Sequence, residues 1–143
     1  VGSGPEYSYL AELVKIRELE GTVTMTGFLD EENLAEIYQL SDIFVQPGQD
    51  REDDVESLST TLMEATAYGL PAIAGRQGGN DELLRHGING FLVEPGNVTD
   101  FSRRLRELVF SPTLRNRQGR MAQEIAAQEF DFARTCEAIM VRV

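Results

Sequence analysis

Glu56 and Glu64 are separated by seven residues, and the second falls inside a predicted helix. At about 1.5 Å rise per residue the two carboxylates lie about 12 Å apart along the axis, too far to share a proton or a metal ion. That spacing suits gripping two ends of one elongated ligand whose diphosphate rests on the helix N-terminus between them. An acceptor carboxylate is what a sugar or ribose hydroxyl needs as a partner. A second reading of Glu64 stands beside this one: a buried carboxylate satisfied by backbone N–H groups.

Other residue groups are less specific. Small-residue turns occur at Gly2 to Gly4, Gly27-Phe28, Ser57 to Ser59 and Gly78-Gly79. Turns of that kind at the carboxyl ends of parallel strands can cradle phosphate, but any doubly wound protein needs small residues there. Val1 to Tyr7 reads VGSGPEY and lacks the third glycine of a dinucleotide fingerprint, and no G-x-x-x-x-G-K-[ST] is present. The acidic run Asp50, Glu52, Asp53, Asp54, Glu56 lacks the glycine of a calcium loop and reads as a solvated loop. His86 precedes Gly87 at a predicted helix C-terminus, where a donor or cationic side chain is favourable without any catalytic role. Tyr7, Tyr9, Tyr38, Phe44, Met63 and Met121 fit packing positions, and the lone Cys136 reads as a buried thiol in a reducing compartment.

The elements that must position these residues alternate. The chain has 143 residues, 13 basic against 24 acidic, a net charge of −11 and 41% hydrophobic residues. This is the composition of one ordinary globular domain, with no apolar run long enough to span a membrane. So acidic a surface argues against nucleic acid as a partner. Val1 to Pro5 reads as a strand end running into a helix with Pro5 at its first position. The helix carries Leu10, Leu13, Val14 and Arg17 and stops near Gly21. Thr22 to Phe28 reads as a strand, and Asp30 as the cap of a helix with stripe Leu34, Ile37, Tyr38 and Ser41. Ile43 to Val45 reads as a strand buried on both faces. A largely buried helix from Ser57 to Tyr68 follows, with Leu58, Leu62, Met63, Ala65 and Ala67 apolar. Then come a strand at Pro71 to Ala74, a short helix from Asp81 to His86 and a strand at Gly90 to Val93. Helices fill the remainder, on the stripes Phe101/Leu105/Leu108/Val109, Met121/Ala122/Ile125 and Phe132/Cys136/Ile139/Met140. This order predicts an α/β fold with a doubly wound parallel, Rossmann-like sheet.

With the blocks VGSGP at Val1 to Pro5, TGFL at Thr26 to Leu29, LSDIFVQP at Leu40 to Pro47, ESLSTTLMEATAYGLPAIA at Glu56 to Ala74 and GGNDELLRHGINGFLVEPGN at Gly78 to Asn97, the chain resembles a known group. It is similar to the C-terminal, nucleotide-sugar-binding half of retaining GT-B glycosyltransferases of the E-x7-E kind (glycosyl transferases group 1). The resemblance implies that residues 1–143 are a partial donor-binding domain, 97–143 mostly helical, with the first strand and helix of the GT-B half missing. It implies a catalytic Glu56 near the transferred sugar and diphosphate, and Glu64 at the ribose hydroxyls. Backbone amides of Ser57, Leu58 and Ser59 would meet sugar and phosphate oxygens, and the turn Gly27, Phe28, Leu29 would pack near the base. Family members more often carry Gly-Phe-Gly where this chain has Ser57-Leu58-Ser59, which bears on the closest backbone approach and on sugar preference.

By the same resemblance the reaction is hexose transfer from a nucleoside diphosphate sugar to an acceptor hydroxyl with retention, needing no cofactor and no metal. Two-carboxylate glycoside hydrolysis fits poorly, because the Glu pair is wider than the about 6.5–9.5 Å of inverting hydrolases. The Arg and Lys that such enzymes place before the VGxGP block, and their N-terminal acceptor domain, are not in this sequence. These residues alone are therefore expected to be inactive, with strand exchange with another copy as one way to fill the sheet. The expected place is the cytoplasm, with peripheral membrane association open for the full-length protein. A non-catalytic nucleotide-sensing or partner-docking module on the same fold is the alternative reading, and a nucleotide-sugar epimerase a third.

Overall fold

A computed structural model describes residues 1–48 and 59–129, and the chain divides into two compact units, Val1–Leu40 and Ser41–Val143. The first holds α1 (Tyr7–Ile16) and α2 (Glu31–Leu40). Pro5 does not open α1. The Tyr7 N–H donates to Gly4 C=O at 3.0 Å across a turn through Pro5 and Glu6, so the helix begins two residues later than the sequence suggested. Nor does Gly21 stop it. Glu18 takes the left-handed position (φ 54°), with its N–H on Lys15 C=O at 3.1 Å and the Leu19 N–H on Val14 C=O at 2.9 Å, the two bonds of a Schellman stop. Asp30 caps α2 as expected, its Oδ1 accepting the Asn33 N–H at 2.9 Å.

The strand expected at Thr22 to Phe28 is not formed; the segment is irregular. Its β-branched residues supply propensity, but a strand exists only with a partner along a ladder. Gly2 N–H donates to Gly27 C=O at 2.7 Å, and neither segment goes on to pair as strand. The unit is thinly cored: α1 has no buried residue, and Tyr38 is the residue that α2 buries.

The second unit is built on β1 (Phe44–Gln46), β2 (Ala72–Gly75) and β3 (Gly90–Val93), parallel and adjacent in chain order. The connections contain α3 (Thr60–Ala67) and α4 (Asn80–Leu83), and α5 (Val98–Phe110) and α6 (Pro112–Glu129) follow. Side-chain alternation sorts the core onto two faces. Ala72, Ala74 and Leu92 pack with Leu62, Leu83 and Leu84 from α3 and the α4 end, while Ile73, Phe91 and Val93 pack with Leu108 of α5. Helices thus cover both faces, and β2 and β3 are buried throughout. β1 departs from expectation: it runs one residue later than Ile43 to Val45, and Val45 is 45% exposed. Among the described strands it is an edge, so one side of it lacks a neighbour.

The short helix expected over Asp81 to His86 is α4, ending at Leu83 because the buried Asn89 takes over its last turn. Asn89 Oδ1 accepts the Arg85 N–H at 2.7 Å and its Nδ2 donates to Leu83 C=O at 2.9 Å. His86 therefore does not sit in a helix end. Its Nδ1–H donates to Leu92 C=O at 3.0 Å while Nε2 accepts from Arg104 at 3.3 Å, and the Arg104 guanidinium lies 4.6 Å over the Phe91 ring. On α5 the stripe holds at Leu108, Phe101 and Leu105, but Val109 is 49% exposed. Of the later stripes, Ala122 and Ile125 are buried, and Phe132, Cys136, Ile139 and Met140 lie outside the described residues. No helix among the described residues is long and apolar enough to cross a membrane.

Candidate functional site

Parallel strands direct their carboxyl ends, and the N-termini of the following helices, to one side of a sheet. The last residue of β1, Gln46, marks that side, and α3 starts against it. Ser59 is the N-cap of α3 (φ −72°, ψ 110°), its Oγ accepting the Leu62 N–H at 3.3 Å. The same hydroxyl donates to Gln46 Oε1 at 2.9 Å and lies 3.1 Å from Thr61 Oγ1. A hydroxyl has one proton, so with it given to Gln46 the Thr61 hydroxyl must donate to Ser59. The helix expected from Ser57 is therefore described from Thr60, with Ser59 capping it, while Ser57, Leu58 and Glu56 lie outside the described residues.

Glu64 is on α3 but not buried. Leu62, Ala65 and Thr66 face the core, and a rotation of about 100° per residue puts Glu64 on the opposite side with Thr60 and Thr61, all three exposed. Ala67, expected in the buried set, is exposed too. The reading of Glu64 as a buried carboxylate satisfied by backbone amides is thereby excluded. What stands is an accessible acceptor about 7.5 Å along the axis from the N-cap, on a helix whose first-turn N–H groups point out of its start.

The far end of α3 is held as tightly. Gly69 (φ 76°) closes a Schellman stop, its N–H on Thr66 C=O and the Leu70 N–H on Ala65 C=O, both at 3.0 Å. There α6 crosses at Gly119, where a Cβ would overlap the Gly69 carbonyl oxygen and meet its carbon at 3.3 Å.

A cleft of about 340 Å³ opens on the same carboxyl side, lined by Pro47 and Gly48 after β1, by Val93 and Glu94 at the end of β3, and by Asn97 and Phe101. Gly75 lets the β1 end approach, since a Cβ there would meet Pro47 O at 2.5 Å. The turn after β2 is fixed by the buried Asn80, whose Nδ2 donates to Gly75 C=O at 3.0 Å. Arg76 brings a positive charge to this side, paired with Glu94 at 3.0 Å.

Gly27, Phe28 and Leu29 belong to the other unit. Gly27 is left-handed (φ 70°), and Phe28 stands 80% exposed beside a half-buried Leu29. In that unit the Gly2 to Gly4 turn borders a second cleft of about 280 Å³ with Tyr7, Leu10 and Met25. Sequence reasoning missed Gln46, whose side chain locates the α3 start; a glutamine before a proline carries no signal of that role. Among the described residues no group of three or more His, Cys, Asp or Glu is placed to hold a metal ion.

A parallel sheet helix-covered on both faces is the Rossmann-like α/β arrangement of GT-B glycosyltransferase structures. The chain belongs to the family Glycosyl transferases group 1, which it matches over residues 1–125. It is 32% identical over 130 residues to the N-acetyl-alpha-D-glucosaminyl L-malate synthase of Bacillus anthracis, covering 91% of this chain and 32% of that protein. It is 37% identical over 105 residues to the GDP-mannose-dependent alpha-mannosyltransferase of Corynebacterium glutamicum, covering 73% of this chain and 22% of the relative. Among solved structures, Anabaena HepE in complex with UDP superposes with a TM-score of 0.83 at 26% identity, over 96% of this chain and 37% of that one. The chain thus spans between 22% and 37% of the length of these relatives.

Proposed function

We propose that these residues form the donor-binding part of a retaining glycosyltransferase, which moves a hexose from a nucleoside diphosphate sugar to an acceptor hydroxyl. The observation that carries the reading is the placement of Glu64: exposed, on the helix whose capped start abuts the carboxyl end of β1. Its carboxylate accepts the two ribose hydroxyls, and the α3 N-terminus, with the Ser57 to Ser59 amides, receives the diphosphate. Glu56 serves the transferred sugar and the diphosphate side. In the transfer the acceptor oxygen bonds to the anomeric carbon on the face the diphosphate leaves, and the bond to the β-phosphate oxygen breaks. The acceptor proton passes to that departing oxygen, and positive groups stabilise the growing charge. Support for a nucleotide donor comes from the UDP bound in HepE and the GDP-mannose dependence of the Corynebacterium relative.

Isothermal titration of UDP, GDP and ADP, with and without attached sugars, into the longest natural chain containing these residues tests the reading. Saturable binding of one base series is expected, weakened by about 1–3 kcal/mol in Glu64→Ala, the loss of a hydrogen-bonded charged partner. A folded chain that binds none of them would move the assignment to a partner-docking module on the same fold.

A further inference from the structure

We propose that Gln46 is a positioning residue for the donor site, setting where α3 begins relative to the sheet. The inference rests on the donor-site reading above and adds a residue to it. Gln46 is fixed at its backbone by the ladder with β2, where it is paired with Ala74. Its Oε1 accepts the Ser59 hydroxyl proton at 2.9 Å, across 13 residues of chain. Once that proton is committed, the Ser59 lone pairs are left for the Leu62 N–H at 3.3 Å and the Thr61 hydroxyl at 3.1 Å. The chain of bonds therefore runs in one direction, Thr61 to Ser59 to Gln46, and each bond polarises the next. Ser59 is 8% exposed and Gln46 half-buried, so water competes weakly for the bond between them, while Thr61 at the head of the chain is exposed.

The consequence is geometric. α3 is held at its C-terminal end by the Gly69 and Gly119 crossing and at its start by Gln46. The spacing of the first-turn amides and Glu64 belongs to the helix itself; what the two anchors fix is where α3 stands relative to the carboxyl end of β1, the pre-set position a bound nucleotide needs. Removing the Gln46 acceptor leaves the Ser59 cap in place but frees it from the sheet.

The test is a double-mutant cycle on nucleotide affinity, with UDP and GDP as the titrated probes and the longest natural chain as the protein. Gln46→Met keeps the side-chain length and removes the acceptor, and Ser59→Ala removes the hydroxyl. Each is expected to weaken nucleoside diphosphate binding about tenfold, and the pair together no more than about twofold beyond the worse single variant, as for residues sharing one interaction. A merely structural glutamine would couple to Ser59 in melting temperature and not in nucleotide affinity. Should Gln46→Met fail to fold, Gln46→Asn, polar and one methylene too short to reach Ser59, is read in its place with the same expectation. Wild-type affinity in a folded Gln46 variant, or losses that simply add, overturns the proposal and leaves the donor site standing. No nucleotide binding by the wild type overturns both.

Discussion

Replacing Gly119 by alanine sets two effects of opposite sign against each other. Gly119 lies inside α6, an 18-residue helix, where alanine is intrinsically favoured by about 1 kcal/mol. The added Cβ, however, would overlap the Gly69 carbonyl oxygen, 3.3 Å from its carbon and 3.4 Å from Pro71 Cδ. Gly69 cannot swing aside. It is held in a left-handed turn by the bonds that close α3, and Leu70 and Ala72 beside it are buried. Overpacking of this kind costs about 1–3 kcal/mol, and a backbone neighbour places it at the upper end. The net expectation is a loss of about 1–2 kcal/mol, after the helical gain is subtracted. Equilibrium urea unfolding measures it, with Gly21→Ala as the control, because no atom lies within 4 Å of a Cβ there. The control should be neutral or gain up to about 1 kcal/mol. A Gly119→Ala protein as stable as the wild type, or more so, would refute the close crossing of α6 on the end of α3.

Asn89→Ala should cost about 2–3 kcal/mol in the same unfolding measurement, because it orphans the Leu83 carbonyl and the Arg85 amide next to the core. Glu18→Gly should stabilise the first unit by about 0.5–1 kcal/mol, since it relieves a left-handed position that a side chain strains; its thermal midpoint or resistance to proteolysis reads this out. The Asn33 backbone and side-chain amides hold the Asp30 carboxyl below its ordinary value of 3.8. With the folded value depressed, the cap's contribution is complete above the unfolded value and is lost as pH falls through the folded one. The Asn33 amide resonance should therefore move only below about pH 4, and Asp30→Asn should abolish that movement.

Most of the second unit was legible in the sequence, because its strands are short apolar runs bounded by Gly and Pro and its helices carry clear stripes. The Ala72 to Ala74 and Gly90 to Val93 strands and the Asn97 start of the next helix follow from such local signals. Thr22 to Phe28 misled for the opposite reason: its composition is strand-like, but the ladder that would make it a strand is a tertiary matter. Glu64 shows the same limit within one helix. Its neighbours Leu62, Met63 and Ala65 suggested an apolar environment on most sides, whereas the face it occupies is set by which side α3 turns to the sheet. Ser59 was named for its backbone amide, yet its hydroxyl does the visible work, and its partner Gln46 lies 13 residues away in another element. Glu18 as a helix stop was equally unreadable, since nothing in a glutamate marks a left-handed position.

The proposed donor site places a nucleoside diphosphate where α3 meets the carboxyl end of β1. Amide chemical-shift mapping on the isotopically labelled longest natural chain, titrated with UDP and with GDP, tests it most directly. Saturable shifts are expected at Ser59, Thr60, Thr61 and Glu64, and in Glu64→Ala those of Ser59 to Thr61 should need more nucleotide to saturate. Saturable binding whose shifts fall elsewhere, with the start of α3 unmoved, would contradict it.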